Sequence, residues 1–263
     1  MKKNIKALII SAIIVSCSGS GERTAEFQGM EFDSIVVDSI LSLAKDANTP
    51  KCHVRLSLQY VKGKNADIIN QGVLHSGILT PDYFLPGYNT PSVSIVVDSF
   101  VKRFLYDYQK EYGQLYKADK EHAESYNCQY FVNTCTQNGK DNVMNYIATV
   151  YSFGGGAHGI RQTIARNFSV EDGKLLTLDD ILKPGYKSKL TDIIIHKMEE
   201  RFNVESLPLL QEKNIFSDGK AYVSENYIIG KKSLTFIYCE DEIAPHEVGE
   251  IRVDIDYDDI DMK

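Results

Sequence analysis

From Cys52 to Tyr60 the chain alternates strictly, with Cys52, Val54, Leu56, Leu58 and Tyr60 on one side and His53, Arg55, Ser57 and Gln59 on the other. Side chains of a strand point to opposite faces with a period of two, so this stretch predicts a half-buried strand. The β-branched stretch Phe32 to Leu43 is its natural hairpin partner, although its spacing also tolerates a helix. Asp67 to Leu79 has helical spacing, and Pro81 to Pro91, with three prolines and a glycine, predicts a loop. From Val93 onward the period changes to three and four, with Val97, Phe100, Val101, Phe104, Tyr108, Tyr112 and Tyr116 on one stripe. That is a long amphipathic helix. Its tyrosines could offer a stacking surface for sugars, but an aromatic stripe at this period is better explained as core packed on a sheet.

The second half is strand-rich. Tyr126 to Thr136 and Val143 to Phe153 flank Gln137-Asn138-Gly139-Lys140, whose Asn-Gly predicts a hairpin because both residues tolerate positive φ. Gln162 to Val170 predicts a third strand, ending at Glu171-Asp172-Gly173-Lys174. Leu178 to Leu182 leads into a helix from about Ser188 to Phe202, and the strands Tyr227 to Ile229, Leu234 to Tyr238 and Ile251 to Tyr257 follow. Strand runs with inserted helices, without regular β-α-β alternation, predict an α+β fold of antiparallel sheets, with the long amphipathic helix and a second inserted helix.

Ahead of this lies a leader. Lys2, Lys3 and Lys6 precede an apolar run, Ala7 to Val15, that is too short to span comfortably a hydrocarbon core of about 30 Å. The run ends in Ile14-Val15-Ser16-Cys17, which resembles a bacterial lipobox and makes Cys17 the expected lipid-attachment residue. A simple signal peptide or an uncleaved anchor, with Cys17 as a bystander, is the alternative. Either way the expected place is the bacterial cell envelope, facing the periplasm or the cell surface; with Cys17 lipidated, the membrane is engaged only through the lipid. The expected division is residues 1–16 as signal peptide, 17–30 as lipidated tether, 31–120 as an N-terminal α/β segment and 121–263 as a C-terminal antiparallel α+β domain.

The 263 residues carry 29 basic and 36 acidic side chains, a net charge of −7. Removing residues 1–16 takes three lysines and no acid, which moves the net charge to −10. Such a domain repels nucleic acid and attracts basic proteins, so no nucleic-acid partner is expected. Beyond Cys17 four cysteines remain, Cys52, Cys128, Cys135 and Cys239, with three possible pairings in a compartment that permits disulfides. Cys128 and Cys135 lie seven apart on one strand, about 23 Å when extended and beyond bonding reach. No Cys-x-x-Cys or Cys/His spacing suggests zinc, and neither a metal nor a cofactor is expected.

Two strings carry candidate chemistry. Tyr151-Ser152-Phe153-Gly154-Gly155-Gly156-Ala157-His158 runs a strand into three glycines. It lacks the lysine and the following helix that a phosphate loop needs. A bulge or a close backbone crossing beside His158 fits the glycines better. Cys239-Glu240-Asp241-Glu242-Ile243-Ala244-Pro245-His246-Glu247 sets four carboxylates and a histidine between two strands. Such a set can perform acid/base chemistry, hold a ligand, or simply be solvated. His158, Glu242 and His246 are the candidate ligand-binding residues, and no residue is assigned a catalytic role. A Gly-x-Ser-x-Gly elbow, a His-Glu-x-x-His and a P-loop are all missing from the sequence.

Gly155-Gly156-Ala157-His158, Asn167-Phe168, Gly173-Lys174-Leu175-Leu176-Thr177-Leu178-Asp179-Asp180, and Glu242-Ile243-Ala244-Pro245 with Gly249 resemble the RsiV-like envelope domain of unknown function. Asp241 and His246 stand where that family has tyrosines, and Gly159 where proline is common. The family occurs in lipoproteins, in the lysozyme-sensing ectodomain of an anti-sigma factor, and ahead of the catalytic domain of a peptidoglycan deacetylase. The resemblance implies an envelope binding protein whose partner is a basic protein such as lysozyme or a cell-wall glycan. The alternatives are a cell-wall hydrolase pairing Glu242 or a neighbouring acid with His158 or His246, and a structural subunit of an envelope assembly.

Overall fold

The computed structural model describes residue 27 and residues 29–46, 48–83, 92–217 and 219–263. The leader, Cys17 and most of the Pro81–Pro91 loop lie outside the described residues. In chain order the elements are β1 (Met30–Ser42), β2 (Lys51–Gly63), α1 (Ala66–Leu74), α2 (Val93–Ala118), β3 (Cys128–Asn138), β4 (Val143–Phe153) and β5 (Ile160–Ser169). There follow α3 (Leu178–Ile181), α4 (Tyr186–Phe202), α5 (Leu207–Glu212), β6 (Tyr227–Ile229), β7 (Ser233–Tyr238) and β8 (Ile251–Asp256). The strands form a five-stranded sheet in the order β1-β2-β3-β4-β5 and a three-stranded sheet in the order β6-β7-β8. The expected α+β class is what the chain adopts.

Two compact units divide the described chain, one within residues 29–135 and 149–159, the other within residue 27 and residues 136–148 and 160–263. In the first, the predicted hairpin forms, with Phe32 opposite Val61 and Leu41 opposite Cys52 in antiparallel register. The alternation of β2 is realised as burial: Cys52, Val54 and Leu56 are fully enclosed. The stripe of α2 buries Val96, Val97, Phe100, Val101 and Tyr108. Phe100 and Phe104 meet Tyr130 of β3 with ring centres 5.6 and 5.2 Å apart. Tyr108 donates its hydroxyl to the Tyr126 carbonyl at 2.9 Å and stacks on Tyr112, so the stripe is mainly core, as its period suggests.

Two expectations shift here. β2 and β3 pair in parallel, from Cys52 beside Cys128 to Ser57 beside Asn133. A parallel pair needs a long crossover, which α1 and α2 supply. The helix predicted from Asp67 ends at Leu74, yet Ile78 and Leu79 remain buried. Tyr130 explains this: its hydroxyl donates to the Ile78 carbonyl and accepts the Thr80 N–H, both at 2.9 Å, which pins a non-helical segment into the core.

In the second unit α4 buries Leu190, Ile194 and Met198 in one cluster with Leu234, Phe236, Ile251, Val253 and Ile255 of the three-stranded sheet. The short helical turn α3 is capped by Asp180, whose carboxylate accepts the Thr177 N–H at 2.9 Å and its hydroxyl at 2.7 Å. Beside β5, two asparagines replace ladder bonds. Asn167 donates to the Tyr227 carbonyl at 2.8 Å and accepts the Ile229 N–H at 3.1 Å. Asn226 accepts the Ala165 N–H at 2.8 Å and donates to the Thr163 carbonyl at 2.6 Å.

The β3–β4 turn forms, but the positive φ angles fall on Asp141 and Asn142, three residues beyond the Asn138-Gly139 predicted to carry them. Gly139 is required for closeness: a Cβ there would sit 2.4 Å from the Ile229 carbonyl oxygen.

Candidate functional site

The acidic loop between β7 and β8 is built around Glu242. One carboxylate oxygen accepts the Cys239 N–H at 2.8 Å, and the other accepts the Tyr222 hydroxyl at 2.6 Å. The side chain therefore locks the loop to the segment before β6. Ile243 is buried, and its carbonyl accepts the Phe216 N–H at 2.8 Å, a second clasp between the same segments. A third comes from Tyr238, whose hydroxyl donates to the Tyr222 carbonyl at 2.5 Å. Phe216, Tyr222 and Tyr238 pack edge to face, with ring centres 5.6 to 6.1 Å apart. Burial, and next the Glu242 carboxylate, push the Tyr222 phenol above its ordinary value, so it stays a donor at any physiological pH.

Between these segments lies an open cleft of about 430 Å³. Phe216, Ile243, Ala244 and Pro245 give it an apolar part, while Asn214, Ser217, Lys220, Tyr222 and Asp241 supply donors and acceptors. Mixed lining of this kind suits binding: apolar contact supplies affinity and a few placed polar groups fix orientation. The backbone here is also strained. Seven non-glycine residues have positive φ among the described residues, and three of them, Asn214, Phe216 and Asp241, line this cleft. A bulky phenylalanine in the left-handed region is costly, and such strain concentrates at functional sites.

Among the residues singled out from the sequence, Glu242 lines the cleft, and His246 stands on the same loop with its Nδ1 3.1 Å from an Asp241 carboxylate oxygen. His158 belongs to the other unit, where it is exposed between β4 and β5. The glycines before it make the close crossing their number suggested. Gly155 has φ of +84°, and a Cβ there would lie 1.8 Å from the Ser125 carbonyl oxygen. Glu240 has a structural task, accepting the Arg161 N–H at 2.7 Å. Burial pushes the Cys239 thiol up to about 11, so it remains protonated beside the Thr163 carbonyl.

The segment from Asn214 to Tyr222 was not singled out from sequence. Its only signal is two aromatics, Phe216 and Tyr222, flanking a polar stretch with Gly219. No group of three or more His, Cys, Asp or Glu side chains is arranged to hold a metal among the described residues. Nor is any described helix long and apolar enough to cross a membrane.

Residues 179–258 match the family model described as a protein of unknown function, DUF3298. That span contains the whole acidic loop and its clasps to Phe216 and Tyr222. The chain is also similar in fold to the crystal structure of a DUF3298 family member from Bacteroides fragilis, with a TM-score of 0.78 and 23% identity over 91% of this chain and 96% of that one. A DUF3298 family protein from Pseudomonas aeruginosa shares the fold at a TM-score of 0.60 and 14% identity, covering 90% of this chain and 96% of that one. No curated protein matches the sequence.

Proposed function

We propose that this protein is a non-catalytic binding module of the bacterial cell envelope, lipid-anchored through Cys17. Its ligand, a basic protein such as lysozyme or a peptidoglycan fragment, seats in the cleft between residues 214–222 and 241–245. The observation that carries this reading is the cleft itself: three strained residues and three separate clasps hold one concave, mixed-polarity surface in place. Both oxygens of Glu242 are occupied by these clasps, which suits a scaffold better than a proton carrier. The lipobox resemblance and the net acidic charge support the envelope location and a basic partner.

The test is a titration of the protein with hen lysozyme and, separately, with soluble peptidoglycan fragments, at low and at physiological salt. The comparison variant is Gly219→Phe, because Gly219 lines the cleft and a Cβ there meets nothing within 4 Å among the described residues. Saturable binding at physiological salt, weakened about tenfold or more by Gly219→Phe, is the expected result; tenfold corresponds to about 1.4 kcal/mol. Binding confined to low salt would reduce the interaction to unspecific charge attraction. Release of cleaved fragments would replace the binding reading with the hydrolase one, for which Asp241 and His246 are the acid/His pair on this loop.

A further inference from the structure

The four cysteines in the described residues form no disulfide with one another, and two of them are placed for one. Cys52 of β2 and Cys128 of β3 are direct register partners in the parallel pair. Neighbouring strands run about 4.8 Å apart, inside the Cα separation of about 4.4 to 6.8 Å that a disulfide spans. Register partners also project to the same face of the sheet. For this pair that is the face covered by α2, where Cys52 is fully enclosed and Cys128 half-buried. The two thiols are close enough to influence each other's protonation, and Tyr108 and Tyr112 of α2 lie near them.

We propose that Cys52 and Cys128 are a redox pair, with Cys128 the attacking and Cys52 the resolving thiol, which a small disulfide compound converts into a cross-strand disulfide joining β2 to β3. The roles follow from access and charge. Cys128 is the thiol that solvent reaches, and the neighbouring Cys52 thiol favours its thiolate. Cys52 is enclosed and held protonated by its neighbour and by burial, so an external disulfide does not reach it first.

The Cys128 thiolate attacks one sulfur of the oxidant, forms a mixed disulfide and expels the first thiolate. Cys52 then gives up its proton, attacks Sγ of Cys128 and expels the second thiolate. Two protein thiols are oxidised, and one disulfide is reduced to two thiols. The bond closes a loop containing α1 and α2, so its main effect is on the unfolded chain, whose freedom it restricts.

The experiment incubates the full chain with oxidised glutathione, alkylates the remaining thiols under denaturing conditions and reads each cysteine peptide by mass spectrometry. Cys52 and Cys128 are expected as one disulfide-linked peptide pair, with Cys135 and Cys239 alkylated. The denaturant midpoint of the oxidised protein should lie above that of the reduced protein. In Cys52→Ser, Cys128 should accumulate as a glutathione mixed disulfide, whereas in Cys128→Ser, Cys52 should remain a thiol. Full alkylation of Cys52 and Cys128 in the oxidised wild type, or a disulfide made instead through Cys135 or Cys239, overturns the proposal whatever the variants do.

Discussion

Both oxygens of Glu242 are committed to holding the cleft, and removing that carboxylate is a test of the cleft's rigidity. Glu242→Ala strands the Cys239 N–H and the Tyr222 hydroxyl, and should lower stability by about 1 to 2 kcal/mol in a denaturant titration. The loss of ligand binding should exceed what that figure alone accounts for, because the loop and the Tyr222 segment lose their shared clasp. Asp180 makes a pH prediction. The ammonium of Lys174, then the N–H and hydroxyl of Thr177, hold its carboxyl far below the usual carboxylate range. A depressed folded value means that the stabilisation is complete above the unfolded value of 3.8 and drains away as the pH falls towards the lower folded one. Asp180→Asn should therefore be less stable than wild type at neutral pH, with the gap narrowing as acid denaturation is followed below about pH 4. Thr177→Ala, which removes the hydroxyl from the same cap, should cost about 1 kcal/mol. At Gly155 the limit is steric as well as conformational. Gly155→Ala must displace the Ser125 carbonyl and hold a side chain at positive φ, so it should destabilise by more than about 1 kcal/mol.

Elements were legible from sequence where one face decided their pattern. The alternation of Cys52 to Tyr60 and of Ile251 to Tyr257 gave strands, and the tyrosine stripe gave α2, because burial on one side imposes a period that single residues carry. What escaped detection was set by polar groups acting across distance. Asn167 and Asn226 carry turn propensity in a local reading, yet they do the work of ladder bonds beside β5, and no local pattern announces a partner about sixty residues away. The same holds for Tyr130, which ends the α1 pattern early by capturing Ile78 and Thr80. α5 was missed because it is six residues long and carries a proline at its second position, leaving no full period to detect. For the candidate site, the acidic loop was visible as a string, but its counterpart from Asn214 to Tyr222 was not, since strain and hydrogen bonding, rather than composition, mark it. Asn167→Ala should show how much such a bridge contributes. It leaves the buried Tyr227 carbonyl and Ile229 N–H unpaired, and a loss of about 2 to 4 kcal/mol is expected in chemical denaturation. Asn167→Asp, which keeps the acceptor but loses the donor, should fall in between only at acid pH, where the introduced carboxyl can be protonated.

For the whole molecule, net charge governs encounter more than grip. With −7 on the full chain, the association rate with a basic partner should fall steeply as salt is raised, while the dissociation rate changes little, as stopped-flow measurements at several ionic strengths can show. Chain connectivity carries a further consequence. The backbone leaves the first unit after Cys135, returns at Thr149 and leaves again after Gly159. Neither unit is therefore a continuous stretch of sequence, and no single proteolytic cut or gene truncation releases one intact. During synthesis the first unit lacks its last segment until Gly159 has been added, and the second waits for strands close to the C-terminus. Until those segments have been made the nascent chain exposes unpaired strand edges, a stage at which aggregation competes with folding.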